Sequence, residues 1–250
     1  MHKKIINRFL IALQFLTIFP IKKNLYTSEK ELGDSMFFFP FVGALQGGLL
    51  AVADFFLLDI FPLPVVSALL LIILFLTNFG LHLDGFMDTL DGLAGGTTKE
   101  SRLLIMKDSR VGAIGAVSVF LLFLLKFSSI TALDGSSRTC VLFLFPIIGR
   151  LSIIAMATGT RYARDGSGLG LVFSNKNQST LFFTSAIVTI PTSILLGLKG
   201  VLALLTTLVV TYFFTLFFTK KLGGITGDTF GFQTEVSEAL FILLMIAIFL

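Results

Sequence analysis

The sequence predicts an all-α fold: a polytopic membrane helical bundle of about seven transmembrane helices plus an N-terminal interfacial helix, forming a single integral membrane domain over residues 1–250. Three observations predict it. Of 250 residues, 55% are hydrophobic, 29 residues are Phe, and the mean hydropathy is +0.94, above the roughly 45–50% apolar content of a soluble domain. Apolar stretches near the roughly 20 residues that cross a bilayer recur along the chain. The cations fall in alternate connections between them.

Residues 1–20 begin with Lys3, Lys4 and Arg8 and turn apolar, as a secretory signal would. No small-residue cleavage site follows, and Gln14 interrupts a segment too short to span, so a retained interfacial helix is expected. Lys22 and Lys23 lead into a polar stretch, 24–35. Hydropathy then places spans at about 36–59, 61–83, 111–133, 139–158, 180–198, 201–218 and 236–250. With the N-terminus inside, 15 of the 19 Lys and Arg residues lie in cytoplasmic segments, two (Arg138 and Lys199) lie outside, and Lys126 and Arg150 lie within spans. That bias sets the orientation. It places the N-terminus and the loops 92–110, 159–179 and 219–235 on the cytoplasmic side, where they can share one site. The net charge of +4 then reflects topology, and no nucleic-acid partner is expected. The single cysteine, Cys140, lies in an apolar run, which excludes a disulfide framework and a thiolate metal site.

The densest chemistry is Asp84-Gly85-Phe86-Met87-Asp88-Thr89-Leu90-Asp91-Gly92. On a helix Asp84, Asp88 and Asp91 stand at i, i+4 and i+7 and project from one face. Read as the C-terminal end of the span 61–83, they sit where the helix dipole disfavours anions, and a cation resolves both problems. Oxygen ligands without Cys point to a hard ion, Mg²⁺ held by carboxylates and shared with substrate phosphates. Downstream, Lys107 and Arg110 are candidates to grip phosphate, and Asp108 to serve as a fourth ligand or a base. The glycines Gly92, Gly95 and Gly96 end the Asp helix. In the last loop, Gly227-Asp228-Thr229 offers an anion-binding backbone with one more metal-capable carboxylate. A plain turn and an ordinary positive collar are the structural alternatives for these loops. His82 is a proton donor or an interfacial histidine.

Charges inside spans are costly and need partners. Arg150 lies about two turns from the cytoplasmic end of its span and is expected to reach a phosphate. Asp54 and Lys126 lie at similar depths, and a structural Asp54–Lys126 pair is expected.

Taken in order, these residues resemble the cobalamin synthase family almost from end to end. The resemblance rests on Ala12-Leu13-Gln14-Phe15-Leu16-Thr17, Phe39-Pro40-Phe41-Val42-Gly43, and His82-Leu83-Asp84-Gly85 continuing through Asp91-Gly92. It continues with Met106-Lys107-Asp108-Ser109-Arg110-Val111-Gly112, Lys126, Gly149-Arg150, Tyr162-Ala163-Arg164, Gly168-Leu169-Gly170 and Gly227-Asp228-Thr229-Phe230-Gly231 with Glu235. Asp165-Gly166-Ser167 and a short final span depart from the pattern.

The resemblance implies a Mg²⁺-dependent enzyme of cobalamin biosynthesis in the prokaryotic cytoplasmic membrane, with its active site on the cytoplasmic side. Its substrates would be adenosylcobinamide-GDP and α-ribazole or its 5′-phosphate, and its partner surface the lipid bilayer; a homo-oligomer is compatible with it. A ribose hydroxyl attacks the phosphorus attached to cobinamide, and GMP leaves. Alignment and charge neutralisation carry such a step. Asp84, Asp88 and Asp91 are then expected to hold one or two Mg²⁺, with Asp108 and Asp228 completing the shell or taking the proton and His82 nearby. Lys107, Arg110 and Arg150 are expected to clamp phosphates, and Arg164 and Thr229 to contact substrate.

Two other classes fit less well. A CDP-alcohol phosphotransferase would carry Asp-Gly-x-x-Ala-Arg, whereas Gly85 is followed by Phe86-Met87-Asp88-Thr89, and an aromatic prenyltransferase would carry a second Asp-rich helix end. A divalent-cation transporter would place acids along a mid-membrane path, and here they collect at one face.

Overall fold

The computed structural model describes residues 2–21, 25, 28–133, 135, 137–164, 169–174 and 178–249. Lys22, Lys23, Asp165-Gly166-Ser167, Gly168 and Lys176 lie outside the described residues. Among those described, the secondary structure is helical apart from one parallel bridge, Tyr162 with Ile225.

The helices are α1 (His2–Leu16), α2 (Glu29–Ser35), α3 (Phe39–Leu57), α4 (Leu63–Asn78), α5 (Leu81–Gly95), α6 (Lys99–Ile105), α7 (Ala113–Ala132), α8 (Ser137–Ala157), α9 (Leu169–Phe173), α10 (Gln178–Leu222) and α11 (Gly227–Phe249). Among the described residues, five stretches are long and apolar enough to cross a bilayer, six if the bent pair α4–α5 counts as one crossing. The expected spans 180–198 and 201–218 both lie within α10, 45 residues long, which breaks at Gly197 (φ 60°, ψ −152°). The chain folds back there: Leu181 and Ser185 on one limb line the same cavity as Tyr212 and Thr219 on the other.

α8 is the central helix, buried along most of its length and packed against α3, α10 and α11. Apolar contact alone does not drive helices together in lipid, and small residues that let backbones approach do. On α3, Gly43 and Gly47 form such a pair. A Cβ at Gly43 would stand 2.6 Å from the Pro146 carbonyl oxygen and 2.8 Å from Ile147 Cα, so the two backbones are in contact.

The expected Asp54–Lys126 pair does not form. Asp54 accepts from Arg138 Nε at 3.0 Å and Nη2 at 2.7 Å, while Arg138 Nη1 donates to the Ile130 carbonyl. Equal depth placed Asp54 and Lys126 together in the sequence, but α3 packs on α8 whereas α7 packs on α5 and α11. Lateral neighbourhood decides the partner. The Arg138–Asp54 pair thus ties the start of α8 to the end of α3, at the opposite end of the bundle from the Asp-rich segment.

Candidate active site

The Asp-rich helix is a separate element. Asn78 Oδ1 accepts from the Gly80 amide at 3.0 Å, Phe79 and Gly80 adopt positive φ (49° and 75°), and α5 leaves α4 at 91°. The expected continuous span 61–83 is therefore corrected: α4 ends at Asn78, and Asp84 lies in the first turn of α5. There the helix dipole favours an anion. With 15 residues, α5 is by itself shorter than a crossing needs; it packs against α7 and α11.

Two glycines let α5 meet α11. A Cβ on Gly85 would stand 2.8 Å from the Asp228 carbonyl oxygen and 2.9 Å from its Cα; one on Gly231 would stand 2.6 Å from the His82 carbonyl oxygen. Phe86 stacks on Phe232 beside them, centroids 5.5 Å apart. The approach brings Asp84 on α5 and Asp228 on α11 into one cleft. Because the obstructing atoms at Gly85 are backbone, Gly85→Ala is expected to displace the first turn of α11, costing about 1–3 kcal/mol and lowering activity more than stability. Parallel turnover and thermal-midpoint measurements check this; equal activity to the parent would show that the close approach is not needed.

The loop after α8 supplies a cation. Ala163 N donates to the Ile225 carbonyl at 2.8 Å and Ile225 N to the Arg161 carbonyl at 3.0 Å. This fixes an extended segment along the start of α11. Arg164 then donates from Nη2 to Asp228 Oδ2 at 2.6 Å, and Thr226 Oγ1 donates to the same oxygen at 3.3 Å.

The resulting cleft, about 370 Å³, has a polar wall of Asp84, Asp228, Arg164, Lys107 and His82 and an apolar wall that includes Phe15, Phe39 and Phe173. The three rings lie 5.0–6.0 Å apart, centroid to centroid. The apolar wall comes from α1, α3 and α9, so the N-terminal helix forms part of the site.

Asp88, one turn from Asp84, is pushed up to about 7 by burial first and then by the carboxylates of Asp84, Asp228 and Asp91, with Arg164 opposing. A carboxyl raised above its unfolded value near 4 favours the folded chain at low pH. That contribution is lost as pH rises from about 4 through about 7. In chelator, the thermal midpoint is expected to fall over this window, and Asp88→Asn to flatten the slope. An unchanged slope in Asp88→Asn would assign the effect to other groups.

Several expected site residues lie elsewhere. Asp91 accepts from the Gly112 and Gly115 amides, both at 2.8 Å, and so caps α7 with both oxygens. Asp108 and Arg110 bind each other, with Arg110 Nη2 donating at 2.6 Å and Nε at 3.1 Å, and neither lines the cleft. The Arg110 hydrogen bonds hold Asp108 down at about 2. Thr229 is buried in the N-terminal turn of α11, donating from Oγ1 to the Thr226 carbonyl at 2.9 Å and accepting from the Thr226 amide at 2.9 Å.

Arg150 is fully buried and donates from Nη1 to Glu238 Oε1, away from the cleft. Glu235 and Glu238 belong to α11, which starts well before the expected 236, and Lys126 Nζ donates to Glu235 Oε2 at 2.5 Å and to Glu238 Oε2 at 2.7 Å. This two-cation, two-anion network binds α7, α8 and α11 directly behind the site. Sequence reasoning missed it, although the helical i, i+3 spacing of the two glutamates in an apolar run was a signal.

Among the described residues, no group of three or more His, Cys, Asp or Glu side chains is placed to hold a metal ion by itself. The donor set still fits Mg²⁺, which is held by one or two carboxylates with waters and substrate phosphates rather than by an all-protein cage.

The family model described as cobalamin-5-phosphate synthase matches residues 8–246. A Geotalea daltonii protein named adenosylcobinamide-GDP ribazoletransferase is 40% identical over 241 residues, covering 96% of this chain and 97% of that protein. Proteins of the same name from Clostridium botulinum (strain Loch Maree) and Acetivibrio thermocellus are each 34% identical, over 98% and 96% of this chain and 99% and 98% of their own lengths. No solved structure matches.

Proposed function

The chain belongs to the cobalamin-5-phosphate synthase family, and we propose that it transfers the adenosylcobinamide-phosphate group of adenosylcobinamide-GDP to α-ribazole or its 5′-phosphate, with GMP as leaving group. The observation that carries the reading is the cleft, where two carboxylates from different helices face Arg164 and Lys107 opposite an aromatic wall. A diphosphate flanked by a large amphipathic group and a planar base needs this pairing of charge and ring surface.

In the reaction, a ribose hydroxyl oxygen bonds to the phosphorus next to cobinamide, the diphosphate P–O bond breaks, and its electron pair departs with GMP. Arg164 and Lys107 orient the diphosphate through its oxygens. The hydroxyl proton passes to Asp228 Oδ1, the oxygen that Arg164 and Thr226 do not engage. Asp84 and Asp88 would hold Mg²⁺. When bound, the ion neutralises the diphosphate charge that these carboxylates otherwise repel. Asp91 and Asp108, engaged as described, drop out of the ligand set, and Arg150 acts behind the site through Glu238.

The site faces the cytoplasm in this reading. Three cation-bearing loops converge on its end of the bundle: Arg102 Nη1 donates to the Lys221 carbonyl at 3.4 Å, and Arg161 Nε donates to the Gly223 carbonyl at 2.7 Å.

The direct test supplies membranes containing the protein with adenosylcobinamide-GDP and α-ribazole 5′-phosphate, with Mg²⁺ or with chelator, and follows GMP and cobalamin phosphate. Metal-dependent formation of both products is expected. Equal turnover in chelator would remove the metal role of Asp84 and Asp88, and absence of product from a folded preparation would remove the reaction.

A further inference from the structure

A second cavity, about 570 Å³ and so larger than the catalytic cleft, opens between the end of α8 and the two limbs of α10. Among the described residues, no carboxylate lines it. Its inner wall is mainly apolar, from Ala155, Leu181 and Leu208 with the hydroxyls of Ser185 and Thr215 among them, within segments apolar enough to cross a membrane. Its mouth is bordered by Tyr212, 61% exposed, and by Leu216, 48% exposed, on the outer surface of the bundle.

The other end is cationic. Along the extended segment after α8, alternate side chains point to opposite faces: Tyr162 and Arg164 line the catalytic cleft, whereas Arg161 lines the second cavity. Arg161 is exposed, with Nε donating to the Gly223 carbonyl at 2.7 Å, which pins one edge of the guanidinium. Lys220 and Lys221 are exposed beside it, directly after the cavity residue Thr219.

We propose that this cavity is a binding site for an anionic phospholipid of the bilayer, with its phosphate on Arg161 and an acyl chain between the limbs of α10. Between the limbs of α10 the lining is leucine side chains interspersed with the hydroxyls of Ser185 and Thr215, the end toward the loop after α8 carries the cation Arg161, and an anionic leaflet supplies ligand at high local concentration.

The chain contains no Trp, so Tyr212→Trp places a single indole at the mouth of the cavity. The full chain with this substitution is reconstituted in vesicles containing phosphatidylcholine and phosphatidylglycerol, one lipid at a time carrying brominated acyl chains. Brominated phosphatidylglycerol is expected to quench about fivefold more effectively at equal mole fraction, the preference that one interfacial cation confers. Arg161→Gln should equalise the two lipids, and Arg161→Lys should keep most of the preference, which separates lost charge from lost fold. Equal quenching by both lipids with Arg161 present would overturn the proposal, as would a preference that survives Arg161→Gln. Loss of the preference on adding inorganic phosphate at matched ionic strength would overturn it in favour of a soluble phosphate ligand.

Discussion

Asp84→Asn is expected to lower kcat/KM for adenosylcobinamide-GDP by about 10²–10³-fold, the range seen when one electrostatic partner of a reacting group is removed, while the thermal midpoint stays at the parent value. The contrast follows from how Asp84 is held. It is exposed, lines the cleft and takes no part in a hydrogen bond to another described side chain, so amide for carboxylate removes charge without breaking a contact. Asp108→Asn is the comparison. Its carboxylate pairs only with exposed Arg110 and does not line the cleft, so a loss of less than tenfold is expected. Steady-state kinetics at saturating Mg²⁺ with both variants decide the matter. Parent-like kcat/KM for Asp84→Asn would falsify the assignment of the α5 carboxylates to the reaction.

Lys126→Met is expected to show the opposite pattern, with a loss of stability of about 3–5 kcal/mol, the cost of removing one partner from a buried ionic network. Lys126 is the cation between Glu235 and Glu238, and Arg150 reaches only Glu238. Its removal leaves Glu235 charged and buried without a partner. The double variant Lys126→Met, Glu235→Gln removes the excess charge, keeps the Arg150–Glu238 pair and should recover more than half of the loss. Thermal denaturation in detergent of the parent, the single and the double variant measures it. A double variant no more stable than the single one would show that packing, not charge balance, is what Lys126 supplies. Because α11 also carries Asp228, activity in the single variant should fall with the folded fraction.

Much of the molecule was legible from composition and spacing. Helices could be placed because runs of about twenty apolar residues have one stable form in lipid, with every backbone polar group bonded internally. The Asp84, Asp88, Asp91 spacing likewise put three carboxylates on one helix, and the cation bias grouped the loops that do converge in space. The α4–α5 boundary was less legible, because hydropathy runs smoothly through Phe79-Gly80 while the bend depends on two positive φ angles and an Asn78 side-chain bond.

What only the tertiary structure decided is which groups face one another. One-dimensional reasoning yields depth along a helix but not its lateral neighbour, so it cannot tell that Asp54 pairs with Arg138 and not Lys126, or that Arg150 pairs with Glu238 and not a phosphate. The same limit applies to Asp91 and Thr229, whose chemistry suits a site but whose bonds are spent on capping α7 and α11. The sequence by itself determined an all-helical membrane protein of this family and the stretch where its carboxylates lie. The packing of α5 on α11 through Gly85 and Gly231 decided that Asp84 and Asp228 share the cleft, because a carboxylate acts through what lies within a few ångströms of it, and that distance is set between helices, not along them.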